Sequence, residues 1–70
     1  MDRVTAEQFD ALSTLLRLRD SAPREGARLV LVEGLALSDA ARAAGAERQN
    51  VHRAVAACRR GLDLARAAAG

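Results

Sequence analysis

The tightest constraint on what this chain can fold into is a spacing: Ala41, then Gly45 four residues on, then Val51 six residues after that. Each of these side chains answers a steric demand. Where two short helices cross at close range, the crossing point has room for little more than a methyl group, which Ala41 supplies. The chain must then turn through positive φ, a conformation glycine adopts without a Cβ penalty. Ala46 is small enough to pack that turn inward. Val51 anchors the second helix to the first, and Val55 repeats the contact one turn later. Two short helices joined by a three- to four-residue turn containing Gly form a helix-turn-helix, and the segment from about 37 to 57 fits that description. An ordinary antiparallel helix pair in a bundle would satisfy the same spacing. Other residues have to separate the two readings.

Start and stop signals divide the rest of the chain into further helices. Thr5-Ala6-Glu7-Gln8 reads as a capping box, each end satisfying a free amide of the other. Behind it Phe9, Leu12 and Leu16 make an apolar stripe with Leu15 beside them, and this helix is expected to end near Arg19. Asp20-Ser21-Ala22-Pro23 is a break, because Pro23 is tolerated only in a first helical turn. From Pro23 to Val32 the pattern is helical, although Leu29-Val30-Leu31-Val32 also reads as a short strand. No second strand exists for it to pair with, so a helix is expected, with Gly34 as its left-handed cap. Ser38 is the expected N-cap of the next helix, with Asp39 complementing its dipole. That helix should stop at Gly45, and the last one should begin at Glu47. Val51, Val55, Cys58, Leu62, Ala65 and Ala69 then follow at alternating spacings of four and three. Gly61 interrupts this stripe, a place for a kink, and residues 67–70 are expected to fray. The fold class predicted is all-α: a single-domain bundle of about four helices containing a helix-turn-helix, with a C-terminal helical extension over about 58–69.

Composition narrows the function classes. At 70 residues the chain buries only about 60% of its unfolded surface, so its core is thin. Half of its residues are hydrophobic and its net charge is only +2, which excludes a disordered tail. No run approaches the roughly 20 apolar residues of a membrane span, and Met1-Asp2-Arg3 does not open a signal peptide. A cytoplasmic location and no membrane partner are therefore expected. The lone Cys58 excludes a disulfide framework, and Cys58 with His52 cannot by themselves form a structural zinc site. No metal, cofactor or catalytic residue is expected. His52 lacks an orienting carboxylate and a nucleophile, while Cys58 falls on the inward side as core filler.

Charge is distributed unevenly. Residues 1–37 carry five Arg against six acids, a balance of −1, whereas residues 38–70 carry six Arg against three acids, a balance of +3. A basic segment within a nearly neutral chain suggests a surface that faces a polyanion. The exposed face of the last helix gives that surface its residue types. With Val51, Ala54, Val55 and Cys58 turned inward, Arg48, Gln49, Asn50, His52 and Arg53 remain outside. Arg pairs with guanine O6 and N7, and Gln or Asn with adenine N6 and N7. They cluster at the N-terminal end of the helix, the part that enters the major groove in this motif. These five are the predicted base-reading residues. Ser38, Arg42, Glu47, Arg59 and Arg60 are the predicted contacts to the DNA backbone, with Arg66 a further candidate. Glu47 could accept from cytosine N4, but a role at the helix dipole is favoured. Arg17, Arg19, Arg24 and Arg28 either add to the phosphate-binding charge or pair with Asp20 and Glu25.

Taken together, Val4-Thr5-Ala6-Glu7-Gln8-Phe9, Ala27-Arg28-Leu29-Val30-Leu31-Val32-Glu33-Gly34 and the Ala44-Gly45-Ala46 turn with Arg48 and Val51 resemble the TrfB/KorA family of plasmid transcriptional repressors. The resemblance covers about residues 4–60. It implies an all-α operator-binding domain acting as a dimer, with Arg48, Gln49, His52 and Arg53 at the base-reading positions. Two departures stand out. Glu47 occupies the place of a Thr at the start of the family's recognition helix, and longer members carry a further dimerisation region. The lead-in Val32-Glu33-Gly34-Leu35-Ala36-Leu37-Ser38-Asp39-Ala40-Ala41 is also similar to region 4 of sigma factors, which binds promoter DNA within polymerase. A helical protein-interaction module that never touches DNA is a third reading. The leading expectation is a repressor that binds double-stranded DNA at a palindromic operator as a homodimer, leaving room for a second regulatory protein as partner. A single recognition helix makes too few base contacts for specific affinity, and a symmetric partner doubles them. Leu62, Leu64 and Ala65 are the expected dimer interface, with the Phe9–Leu16 stripe as the alternative.

Overall fold

The computed structural model describes residues 4–18 and 21–69, with the side chain of Ala69 left out. Four helices follow one another: α1 (Ala6–Leu15), α2 (Ala22–Leu31), α3 (Leu37–Ala44) and α4 (Arg48–Ala69). There is no strand among the described residues; residues 29–31 close α2 and Val32 is its C-cap. The all-α expectation therefore holds.

The helix starts follow local chemistry closely. At α1 the Thr5 hydroxyl accepts from the Gln8 amide at 3.1 Å, and the Thr5 amide donates to Gln8 Oε1 at 3.0 Å. This is the complete capping box, satisfying two otherwise orphaned donors. Pro23 lies in the first turn of α2, where its missing N–H costs nothing. After α2, Gly34 at φ 78° turns the chain so that the Leu35 amide donates back to the Leu29 carbonyl at 3.0 Å.

Three expectations about element ends need correction. α1 stops at Leu15, well before Arg19, which with Asp20 lies outside the described residues. The chain leaves the helix through Arg17 in the left-handed region at φ 54°. Ser38 is not an N-cap: α3 starts one residue before it, with Ala36 as cap and no side-chain hydrogen bond. Leu37 packs against the core, and drawing it inward sets the start of the helix there. Finally, α4 runs unbroken through Gly61 to Ala69. Glycine serves packing at that position, since a Cβ there would stand 3.2 Å from Leu12 Cδ2.

The core gathers Val4, Phe9, Leu12, Ala27, Leu31, Ala41, Val51, Val55 and Cys58, with Phe9, Val51 and Cys58 the largest fully buried side chains. α2 packs against both α3 and α4. Small residues set how closely they approach: Ala27 and Ala40 are fully buried, and Ala41 is nearly so, as the crossing requires. Gly26 belongs to the same set, because a Cβ on it would fall 2.5 Å from Val51 Cγ2. α1 is tied on by the Val4 amide, which donates to the Leu31 carbonyl at 3.1 Å. The Arg24 guanidinium adds to this, lying 6.0 Å from the centre of the Phe9 ring and 3.7 Å from Asp10. No helix among the described residues is long and apolar enough to cross a membrane.

Candidate nucleic-acid interface

α3 and α4 are joined by a three-residue turn, Gly45-Ala46-Glu47. Gly45 holds φ 70°, its amide donating to the Arg42 carbonyl at 3.3 Å while the Ala46 amide donates to that of Ala41 at 3.0 Å. This is the Schellman ending, in which a left-handed residue returns two amides to the carbonyls the helix leaves open. The Val51 amide then donates to the Glu47 carbonyl at 3.1 Å, which puts Glu47 at the cap position of α4. Val51 and Val55 are buried beneath the crossing, so the first turns of α4 are fixed by packing on the inner side alone.

That leaves Arg48, Gln49, Asn50, His52 and Arg53 exposed. Successive residues on a helix advance by about 100°, so Arg48, His52, Gln49 and Arg53 share one arc, while Asn50 projects from its edge. Arg48, Gln49 and His52 meet around a notch of about 310 Å³, which they line together with Leu37 from the start of α3. Leu37 was not among the predicted site residues. Its only sequence signal is an apolar residue next to the polar N-terminus of a helix, a pattern that reads as core.

The predicted backbone contacts divide into two groups. Ser38 and Arg42 are exposed on α3, four residues apart and hence on one side of it. Arg42 lies 4.0 Å from Asp39, at the outer limit of an ion pair, with 81% of its side chain exposed. On α4, Arg59 falls in line with Arg48 and His52, and Arg60 with Gln49 and Arg53. Both are exposed, and no acid intervenes between Glu47 and Asp63. On α2 the ion pairs are local. Arg28 holds Glu25 at 2.6 Å and Glu33 at 3.2 Å, and the hydrogen bond from Arg28 pulls the Glu25 carboxyl below its ordinary range.

The expected dimer residues do not make one surface. Leu62 is half-buried and packs against the core of its own chain, whereas Leu64 is 72% exposed. Two residues apart on a helix, they point about 200° from each other. Ala65 is exposed. Of the alternative Phe9–Leu16 stripe, Phe9 and Leu12 are buried in the chain's own core, and Leu16 reaches the surface, over Gly61 and one turn before Leu64 and Ala65. Leu15, Leu16 and Leu64 are the exposed large hydrophobic residues of the chain as described.

Cys58 is fully buried, which pushes its thiol above the ordinary range, and it lies about 120° around α4 from exposed His52. Among the described residues no three His, Cys, Asp or Glu side chains gather as metal ligands would. No family model, curated protein or solved structure matches this chain.

Proposed function

We propose that this protein is a sequence-specific DNA-binding transcriptional repressor that docks the first turns of α4 in the major groove of a palindromic operator as a homodimer. One observation carries the reading: the small-residue crossing of α3 and α4 leaves Arg48, Gln49, His52 and Arg53 on one exposed arc at the N-terminal end of a rigid helix. Those donors and acceptors match base edges. The acid-free run behind them, with Arg59 and Arg60, matches the phosphate backbone. The resemblance of the sequence to plasmid repressors of the TrfB/KorA type agrees with this.

The dimer is supported by placement. Leu16 and Leu64 lie toward the end of α4 away from the base-reading arc. From Val51 to Leu64 the helix rises about 20 Å. Two such legs meeting at a twofold axis can set their recognition ends the 34–36 Å apart that successive major grooves demand.

The test is selection of bound duplexes from random DNA, followed by titration at several salt concentrations. Arg48→Ala should cost about 1–3 kcal/mol and relax preference at one base pair, whereas Arg59→Ala should weaken all sequences alike and lower the salt slope by about one. Leu64→Glu should leave the fold intact and halve the mass in sedimentation. Absence of salt-dependent binding to any duplex would overturn the proposal, as would binding that appears only in the presence of RNA polymerase.

A further inference from the structure

Resting on the DNA-binding reading, we propose that the notch formed by Leu37, Arg48, Gln49 and His52 receives the 5-methyl group of a thymine, which makes Leu37 a specificity-determining residue. The notch of about 310 Å³ joins one apolar side chain to three polar ones. Leu37 is half-buried: part of it packs against the core, and the remainder lines the notch. A side chain held on its inner side by packing keeps its outer surface in a fixed place. It therefore offers a rigid apolar floor between the starts of two helices. Arg48 and Gln49, which line the same notch, carry aliphatic stems that can extend such a floor.

The chemistry of the major groove then limits what can occupy the floor. Its base edges present hydrogen-bond donors and acceptors, and one apolar group, the C5-methyl of thymine. A donor or acceptor set against Leu37 would exchange water for an apolar surface on that side, which is penalised. A methyl loses nothing. Arg48, Gln49 and His52 around the rim would bond to the base pairs on either side, so the notch selects a thymine flanked by positions those residues read. It thereby discriminates thymine from cytosine at a position where no side chain forms a hydrogen bond.

The experiment replaces thymine by uracil, one position at a time, in a duplex recovered by selection from random sequences. Uracil pairs as thymine does and differs only by the methyl group. Affinity should fall about fourfold for each half-site substituted at the critical position, the worth of one buried methyl, and stay constant at the others. With Leu37→Ala the same thymine-to-uracil change should have no effect, because the floor is gone. Should Leu37→Ala fail to fold, Leu37→Val, which shortens the same floor, should reduce the uracil effect at that position alone. Uniform affinity across the scan, with specific binding intact, overturns the thymine inference and leaves the repressor reading standing. A scan that cannot be made because no duplex is bound specifically overturns both.

Discussion

Two helices of this protein end on the same pair of hydrogen bonds, yet only one of them ends on glycine. At the α3–α4 junction Gly45 takes φ 70°, and the two amides return to Arg42 and Ala41. At the end of α1 Arg17 takes φ 54°, its amide donating to Thr14 at 3.2 Å and that of Leu18 to Ser13 at 2.9 Å. The geometry is equivalent and the cost is not, since a residue with a Cβ pays about 1–2 kcal/mol in the left-handed region. The junction that presents the candidate recognition helix is built without that strain and is locked from below by Val51 against Gly26. The other carries strain on an exposed arginine and is followed by a longer connection.

The largest effect should come from disturbing what locks the α3–α4 junction. Gly26→Ala should destabilise by about 2 kcal/mol in urea unfolding, because the 2.5 Å approach to Val51 outweighs the roughly 1 kcal/mol that Ala gains in a helix. Next comes Gly45→Ala. No atom stands within 4 Å of the new Cβ, so only backbone strain counts. About 1 kcal/mol should be lost. Arg17→Gly should move the opposite way, raising stability by about 0.5 kcal/mol, as relief of strain is partly offset by the greater freedom of Gly in the unfolded chain. Equal signs for Gly45→Ala and Arg17→Gly would mean the two endings are not the same motif.

The smallest effect touches neither junction. Glu25 has its carboxyl held below the ordinary 4.5, first by the hydrogen bond from Arg28. A depressed folded value means the contribution is complete above about pH 4.5 and is lost as pH falls through the lower folded value. Both partners are a third or more exposed, so the loss should be a few tenths of a kcal/mol and should shrink in high salt. Acid titration of Glu25→Gln against the unaltered chain isolates it.

The comparison also explains what could be read from the sequence. Gly45 announces its turn because glycine is the usual way to pay no penalty there. Arg17 announces nothing, so the pattern predicts a helix reaching Arg19. Thr5 and Gln8 were legible because a capping box is a local exchange, complete within four residues. Ser38 misled: the start of α3 is settled by the packing of Leu37, a tertiary effect that outweighs a good capping residue. The exposed arc of Arg48, Gln49, His52 and Arg53 followed from period alone once Val51 and Val55 were taken as buried. Leu37 as a neighbour of that arc did not, because it arrives from another helix. Leu62 and Leu64 were grouped by hydrophobicity, although helical geometry places them on opposite sides.

The continuity of α4 through Gly61 has a mechanical consequence. A helix without a hinge behaves as a lever, and its ends cannot reorient independently. A swing of about 10° imposed near Leu64 would carry Arg48 and Gln49 about 3.5 Å sideways, close to one base-pair step of DNA. If α4 docks on a duplex as proposed, whatever grips its far end would set where Arg48 and Gln49 fall without touching them.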